Sequence, residues 1–106
     1  ELVAITRALR AAVTGVPDGA EIVALGLAAG VVNPVADAVA ATCERHGLAH
    51  LSAGLTTALT AYVIGLGLEE QTHHNLRAVD PELAEVDFVP RFDAGLEALL
   101  SGVAAG

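Results

Sequence analysis

The sequence has no lysine, no methionine and only one cysteine among its 106 residues. A disulfide needs two thiols, so Cys43 cannot form a bridge within the chain. This excludes the framework of a disulfide-stabilised mini-protein and fits a reduced, cytoplasmic setting. The five basic residues are all arginines, and the 13 acidic residues outnumber them, which gives a formal net charge of −8. A domain with this charge repels a phosphate backbone, so we do not expect this chain alone to bind nucleic acid.

Charge of either sign is scarce: charged residues make up 17% of the chain and hydrophobic residues 54%. A chain of this length supports one domain, residues 1–106, with a core of modest size. The chain carries more apolar side chain than a monomer easily hides. The surplus predicts a partner subunit, a ligand cavity or a further domain.

No stretch alternates apolar and polar residues at the spacing of a strand, so the predicted class is all-α, a bundle of about five helices. Thr14-Gly15 ends the first helix, Asn33-Pro34 begins the third, and Gly47 caps it. Residues 75–90 are predicted to form an acidic connector, with at most one short helical turn at Asp80-Pro81-Glu82. The predicted helices cover residues 1–13, 20–29, 34–46, 52–74 and 91–104.

The helix at 52–74 is apolar nearly all round, and residues 47–68 contain no charged side chain. That run is long enough to cross a bilayer, which takes about 20 residues. His50, several hydroxyl side chains and the capped amphipathic helices on either side favour instead the central helix of a soluble bundle. Its three stripes are Leu55, Leu59, Tyr62, Leu66; Gly54, Ala58, Ala61, Gly65; and Thr56, Thr60, Val63, Gly67.

Two acidic residues and two histidines follow one another at the end of this helix. Glu69 with His73, and Glu70 with His74, are spaced i, i+4 and could meet a divalent metal on one helix face. A structural metal site needs about four protein ligands, and nothing in the sequence completes the set. We therefore expect no metal, with Glu69 and His73 as weak candidates, and a solvated helix end where histidine suits the dipole.

The residues that could act as nucleophiles lack the partners that catalysis needs. Cys43 falls on the apolar face of its helix beside Glu44, which favours packing over reactivity. No glycine-rich loop follows a strand, and no Gly-x-Ser-x-Gly turn is present. An enzyme is not expected, and no cofactor is implied. For Thr56 and Thr60 two roles stay open: hydrogen bonds to a ligand, or to the helix carbonyl at i−4.

Three segments, in order, resemble the C-terminal domain of tetracycline-repressor (TetR) family transcriptional regulators. Residues 62–71, ending in Gly67-Leu68-Glu69-Glu70-Gln71, resemble the central helix of that domain. Asp18-Gly19-Ala20 resembles the turn after its first helix. The spacing of Phe92, Gly95, Leu96, Leu99 and Gly102 resembles its final helix.

The resemblance implies a tetracycline-repressor-like C-terminal domain that binds a small-molecule effector, forms a homodimer and releases operator DNA when the effector binds. Operator DNA would be read by an N-terminal helix-turn-helix domain, which we expect to lie outside this chain. Members that bind a metal-drug complex carry a histidine after the turn; Val23 stands at that position, so an apolar or weakly polar effector is expected. The expected ligand-binding residues are Leu9, Val23, Leu27, Thr56 and Thr60.

The dimer interface is expected along the narrow stripes of the long helix and the final helix, where small residues allow close approach. The expected interface residues are Ala58, Gly65, Phe92, Gly95, Leu96, Leu99 and Gly102. The alternative is an all-helical protein-interaction module that binds no small molecule. Such a module would have a filled core and no cavity.

Overall fold

The computed structural model describes residues 2–16, 18–28 and 34–105, and this part of the chain is all-helical, without strands, as the sequence predicts. The chain divides into two compact units, Glu1–Gln71 and Thr72–Gly106. A single 3-10 turn, Ala49–Leu51, precedes the fourth helix. The α-helices are α1 (Leu2–Thr14), α2 (Gly19–Ala28), α3 (Pro34–Arg45), α4 (Ser52–Val79) and α5 (Phe88–Ala105).

In the first unit, α1 packs against α2 and α3 through small and branched apolar side chains. Val13 of α1, Ala20 of α2, and Val39 and Cys43 of α3 are all buried. Asp37 and Glu44 of α3 are exposed whereas Cys43 is buried, so the predicted packing of Cys43 on the apolar face of this helix is confirmed. Residue 33, the predicted cap of α3, lies outside the described residues.

The turn from α1 to α2 is tight and depends on two unusual backbone positions. Asp18 has a φ of +58°, in the left-handed region that aspartate tolerates better than most residues. Gly19 is buried so close to α1 that a Cβ atom there would lie 2.0 Å from the carbonyl oxygen of Val13. Only glycine fits this backbone approach, so residues 18 and 19 fix how α2 leaves α1.

The end of α3 follows the predicted glycine cap. Gly47 has a φ of +70°, and its amide donates to the carbonyl of Glu44 at 3.3 Å. The amide of Leu48 donates to the carbonyl of Cys43 at 2.8 Å. These two bonds form a Schellman motif, which satisfies the last carbonyls of the helix and turns the chain into α4.

The long helix begins at Ser52 as predicted, but it ends at Val79 rather than His74. The connector predicted for residues 75–90 was therefore wrong at residues 75–79, which are helical. No glycine or proline interrupts residues 75–79, and the next proline, Pro81, disfavours helix in Asp80 before it. The acidic side chains that suggested a connector begin only at Asp80. By length and composition this is also the one described helix that could cross a membrane.

The segment after α4 forms a turn, and α5 starts three residues earlier than predicted, at Phe88 rather than Arg91. The amide of Glu82 donates to Asp80 Oδ1 at 3.1 Å, and that of Val89 donates to Asp87 Oδ1 at 3.0 Å. Asp87 thus caps α5. Pro90 falls in the first turn, where a missing amide proton costs no helical hydrogen bond.

Candidate small-molecule site

A groove of about 510 Å³ lies against α4 in the first unit, with one side formed by α2. It is called the α2–α4 groove below. None of the described residues that line it carries a charge, and three of them are threonines. The lining residues are Ala24, Thr56, Thr57, Thr60, Ala61, Ile64 and Gly65. The volume is within the range of about 300–1,000 Å³ that small-molecule sites usually have.

Thr60 is the polar residue that distinguishes the α2–α4 groove from a plain apolar cleft. It is 6% exposed, and its Oγ1 is buried without a hydrogen-bond partner. A buried hydroxyl left unpaired costs about 1–3 kcal/mol, so such groups are rare in folded proteins. Thr60 is therefore the residue at which a bound polar atom would gain most.

Other helical threonines of this chain hydrogen-bond to the backbone of their own helix. Thr6, Thr14, Thr42 and Thr57 each donate to the carbonyl four residues earlier, at 2.7, 2.8, 3.0 and 3.1 Å respectively. Thr60 does not make this bond. Of the two roles left open by the sequence, back-bonding is thus absent at Thr60.

The structure brings together only part of the predicted ligand-binding set. Thr56 and Thr60 both line the α2–α4 groove, whereas Leu9 and Val23 are half-buried and are not among its lining residues. The side chain of Leu27 lies outside the described residues. Ala24 replaces Val23 because α2 turns its next residue toward the groove.

The sequence reasoning missed four further lining residues and assigned Gly65 to a different role. Thr57, Ala61 and Ile64 lie one helical turn or less from the two predicted threonines. The i, i+4 and i+7 spacing from Thr57 to Ala61 and Ile64 was a usable signal. This signal was not used, because three stripes of the helix are each apolar enough to line a ligand pocket.

The predicted dimer-interface residues fall into two groups in the single chain. Phe92 and Leu96 are each 1% exposed, so their side chains are already buried within the single chain. Ala58, Gly95 and Leu99 are half-buried. Gly65 and Gly102 are exposed, and a Cβ atom at either would meet nothing within 4 Å. The interface stays a prediction, carried by the exposed members.

The two acidic residues and two histidines within residues 69–74 of α4 do not form a metal-binding cluster. Within the described ranges, no three His, Cys, Asp or Glu side chains lie where they could hold one metal ion. Glu70 instead accepts from Arg10 of α1, whose Nη2 lies 3.2 and 3.0 Å from its two carboxylate oxygens. Glu69 is exposed on α4.

His73 takes part in an aromatic contact within the second unit. Its ring meets that of Phe88 edge-on, with 5.7 Å between centroids, and the guanidinium of Arg91 lies 5.5 Å from the Phe88 centroid. The Nε2 atom of His73 is buried without a hydrogen-bond partner. The packing around Phe88 therefore accounts for the position of this ring.

Comparisons with models of known protein families, with curated proteins and with solved structures found no match to this chain. The resemblance to tetracycline-repressor family regulators therefore rests on the three short segments alone.

Proposed function

We propose that this chain is the effector-binding and dimerisation domain of a bacterial, cytoplasmic transcriptional repressor of the tetracycline-repressor type. A small molecule binds in the α2–α4 groove, and the resulting change releases operator DNA from a DNA-binding domain outside this chain. The order of the three family-like segments supports the repressor part of the proposal.

The single observation that carries the ligand-binding part is that Thr60, whose hydroxyl is buried and unpartnered, lines a 510 Å³ groove. A groove meant for tight packing against another helix would gain nothing from leaving a polar atom unsatisfied there. Apolar walls with a few placed polar groups are the usual composition of small-molecule sites.

The test uses N-phenyl-1-naphthylamine, a neutral apolar dye whose fluorescence rises when it leaves water. We expect saturable binding to the intact chain. Gly65→Leu fills the α2–α4 groove and should weaken dye binding at least tenfold, because the side chain occupies the volume that the dye needs. Gly54→Leu is the matched control, since it lies on the same helix outside the groove.

Both glycines have open space where a Cβ atom would be placed, so neither change should produce a clash at that atom. Circular dichroism melting of the two variants checks this point. Dye binding that is absent from the unmodified chain, or that Gly65→Leu leaves intact, would refute a small-molecule site here.

The second candidate is an all-helical protein-interaction module, and one observation favours it. α2 exposes Ile22 and Leu25, which are 60% and 72% exposed in the single chain. An exposed apolar patch of this kind commonly marks an interaction surface. This module would bind no dye in the α2–α4 groove, so the same titration separates the two candidates.

A further inference from the structure

We propose that the α2–α4 groove selects a neutral, mainly apolar molecule that carries a hydrogen-bond acceptor oxygen, such as a ketone, and that Thr60 donates to this oxygen. The inference rests on the proposed function, because it names the class of ligand for the same site. In this proposal the hydroxyl of Thr60 determines which neutral ligands bind most tightly.

The absence of charge in the lining excludes ionised ligands from tight binding. The described lining residues are apolar or carry only a hydroxyl. An ion entering this groove would lose hydration without meeting an opposite charge, and that loss is large. Five basic residues against 13 acidic ones also give the chain a field that repels anions before they arrive.

The hydroxyl of Thr60 sets the preference among neutral ligands. A threonine hydroxyl carries one proton to donate, and the usual acceptor within a helix, the carbonyl at i−4, is not used at this residue. A ligand oxygen at that point satisfies a group that is otherwise unpaired in the core. A hydrocarbon of the same shape leaves it unpaired, so the oxygen-bearing ligand binds more tightly.

Thr57 also lines the groove, but it does not offer an equivalent donor. Its proton is already given to the carbonyl of Ala53 at 3.1 Å. A ligand oxygen at Thr57 would have to displace that bond, with no net gain in hydrogen bonds. The preference for an acceptor oxygen therefore depends on Thr60.

The experiment compares two ligands that differ only in one group: butyrophenone and n-butylbenzene, in which a methylene replaces the carbonyl. Each displaces N-phenyl-1-naphthylamine from the intact chain, and the ratio of the two inhibition constants is the readout. We expect butyrophenone to bind about three- to tenfold more tightly. Thr60→Val, which keeps the side-chain shape, should abolish or reverse this preference, because the ketone oxygen would then lose its hydration without gaining a donor, while Thr60→Ser should retain most of it.

Thr14→Val is the control, because it removes a hydroxyl from an exposed position of α1 outside the groove. A ketone preference that is absent, or that survives Thr60→Val, would overturn the inference while saturable dye binding keeps the proposed function intact. Failure of dye binding itself would remove both.

A second arm tests the exclusion of charge. 1-Anilinonaphthalene-8-sulfonate shares the ring system of the neutral dye and adds a sulfonate. We expect its binding to be at least tenfold weaker. Equal affinity, abolished by Gly65→Leu, would show that the groove accepts anions and would contradict the proposal.

Discussion

Arg10 and Glu70 are 60 positions apart in the sequence, yet they form the ion pair that ties α1 to α4. One guanidinium nitrogen reaches both carboxylate oxygens, and the side chains are 20% and 33% exposed. Partial burial weakens solvent screening, so this pair is worth more than a fully exposed one. The sequence suggested His74 as a neighbour of Glu70 because periodicity shows contacts within one helix only.

A double-mutant cycle should measure this pair directly. We expect Arg10→Ala and Glu70→Ala each to lower the free energy of unfolding, with a coupling energy of about 0.5–1 kcal/mol between them. Raising the salt concentration to about 1 M should reduce the coupling. Urea denaturation of the four proteins gives the value, and additive losses would mean that the contact contributes nothing.

At the scale of the helix, the close approach of α1 and α2 to α4 depends on Gly67. A Cβ atom at this residue would lie 3.1 Å from Val13 Cγ1 and 3.2 Å from Ala20 Cβ. Gly67 is buried, in contrast to Gly54 and Gly65 on the same helix. The contacts of Gly67 with Val13 and Ala20 therefore set the separation of these three helices in the first unit.

Replacing Gly54 and Gly67 by alanine should change the free energy of unfolding differently. Gly54→Ala should raise the free energy of unfolding by roughly 0.5–1 kcal/mol, since alanine favours helix and meets no neighbour there. Gly67→Ala should gain less or lose stability, because Val13 and Ala20 must move. Gly67→Leu should lose at least about 2 kcal/mol. Equal gains at both positions, measured by thermal and urea unfolding, would contradict the close packing.

The helices were largely predictable because their signals are local. Turn chemistry at Thr14-Gly15, the cap at Gly47 and the start at Ser52 all agree with the structure. The two errors, at the end of α4 and the start of α5, came from weighting acidic composition and Pro90 over capping. Asp87, which caps α5, reads in sequence as one more acidic connector residue.

The candidate site was less predictable than the helices. Thr56 and Thr60 were identified because two hydroxyls stand out on an apolar helix. The side of the groove formed by α2 depends on how that helix rotates after Asp18 and Gly19, and periodicity does not give this rotation. Whether Thr60 bonds to its own helix also depends on its rotamer, which the sequence leaves open.

For the molecule as a whole, the balance of apolar and charged surface favours self-association. Leu25 and Val79 are 72% and 86% exposed in the single chain. Gly102 leaves open space on α5 where a second copy could approach. These features agree with the excess of apolar residues in the sequence.

We expect the chain, of 10.7 kDa, to sediment at about twice that mass. Gly102→Arg should shift it toward the monomer, because a charge at a close helix contact is costly to bury. Ala41→Arg, at an exposed position of α3 outside the predicted interface, should leave the dimer unchanged. Analytical ultracentrifugation distinguishes these outcomes, and a monomer in all three proteins would refute the dimer.

Because the hydroxyl of Thr60 is unpaired, thermal stability and ligand binding favour different residues at position 60. Without ligand, Thr60→Val removes an unsatisfied group and should raise the free energy of unfolding by about 1–2 kcal/mol, seen as a higher melting temperature. A library selected for thermal tolerance alone should therefore lose this threonine early. A library selected for ligand-dependent activity should keep this threonine. The residue found at position 60 would therefore show whether a library was selected for stability or for ligand binding.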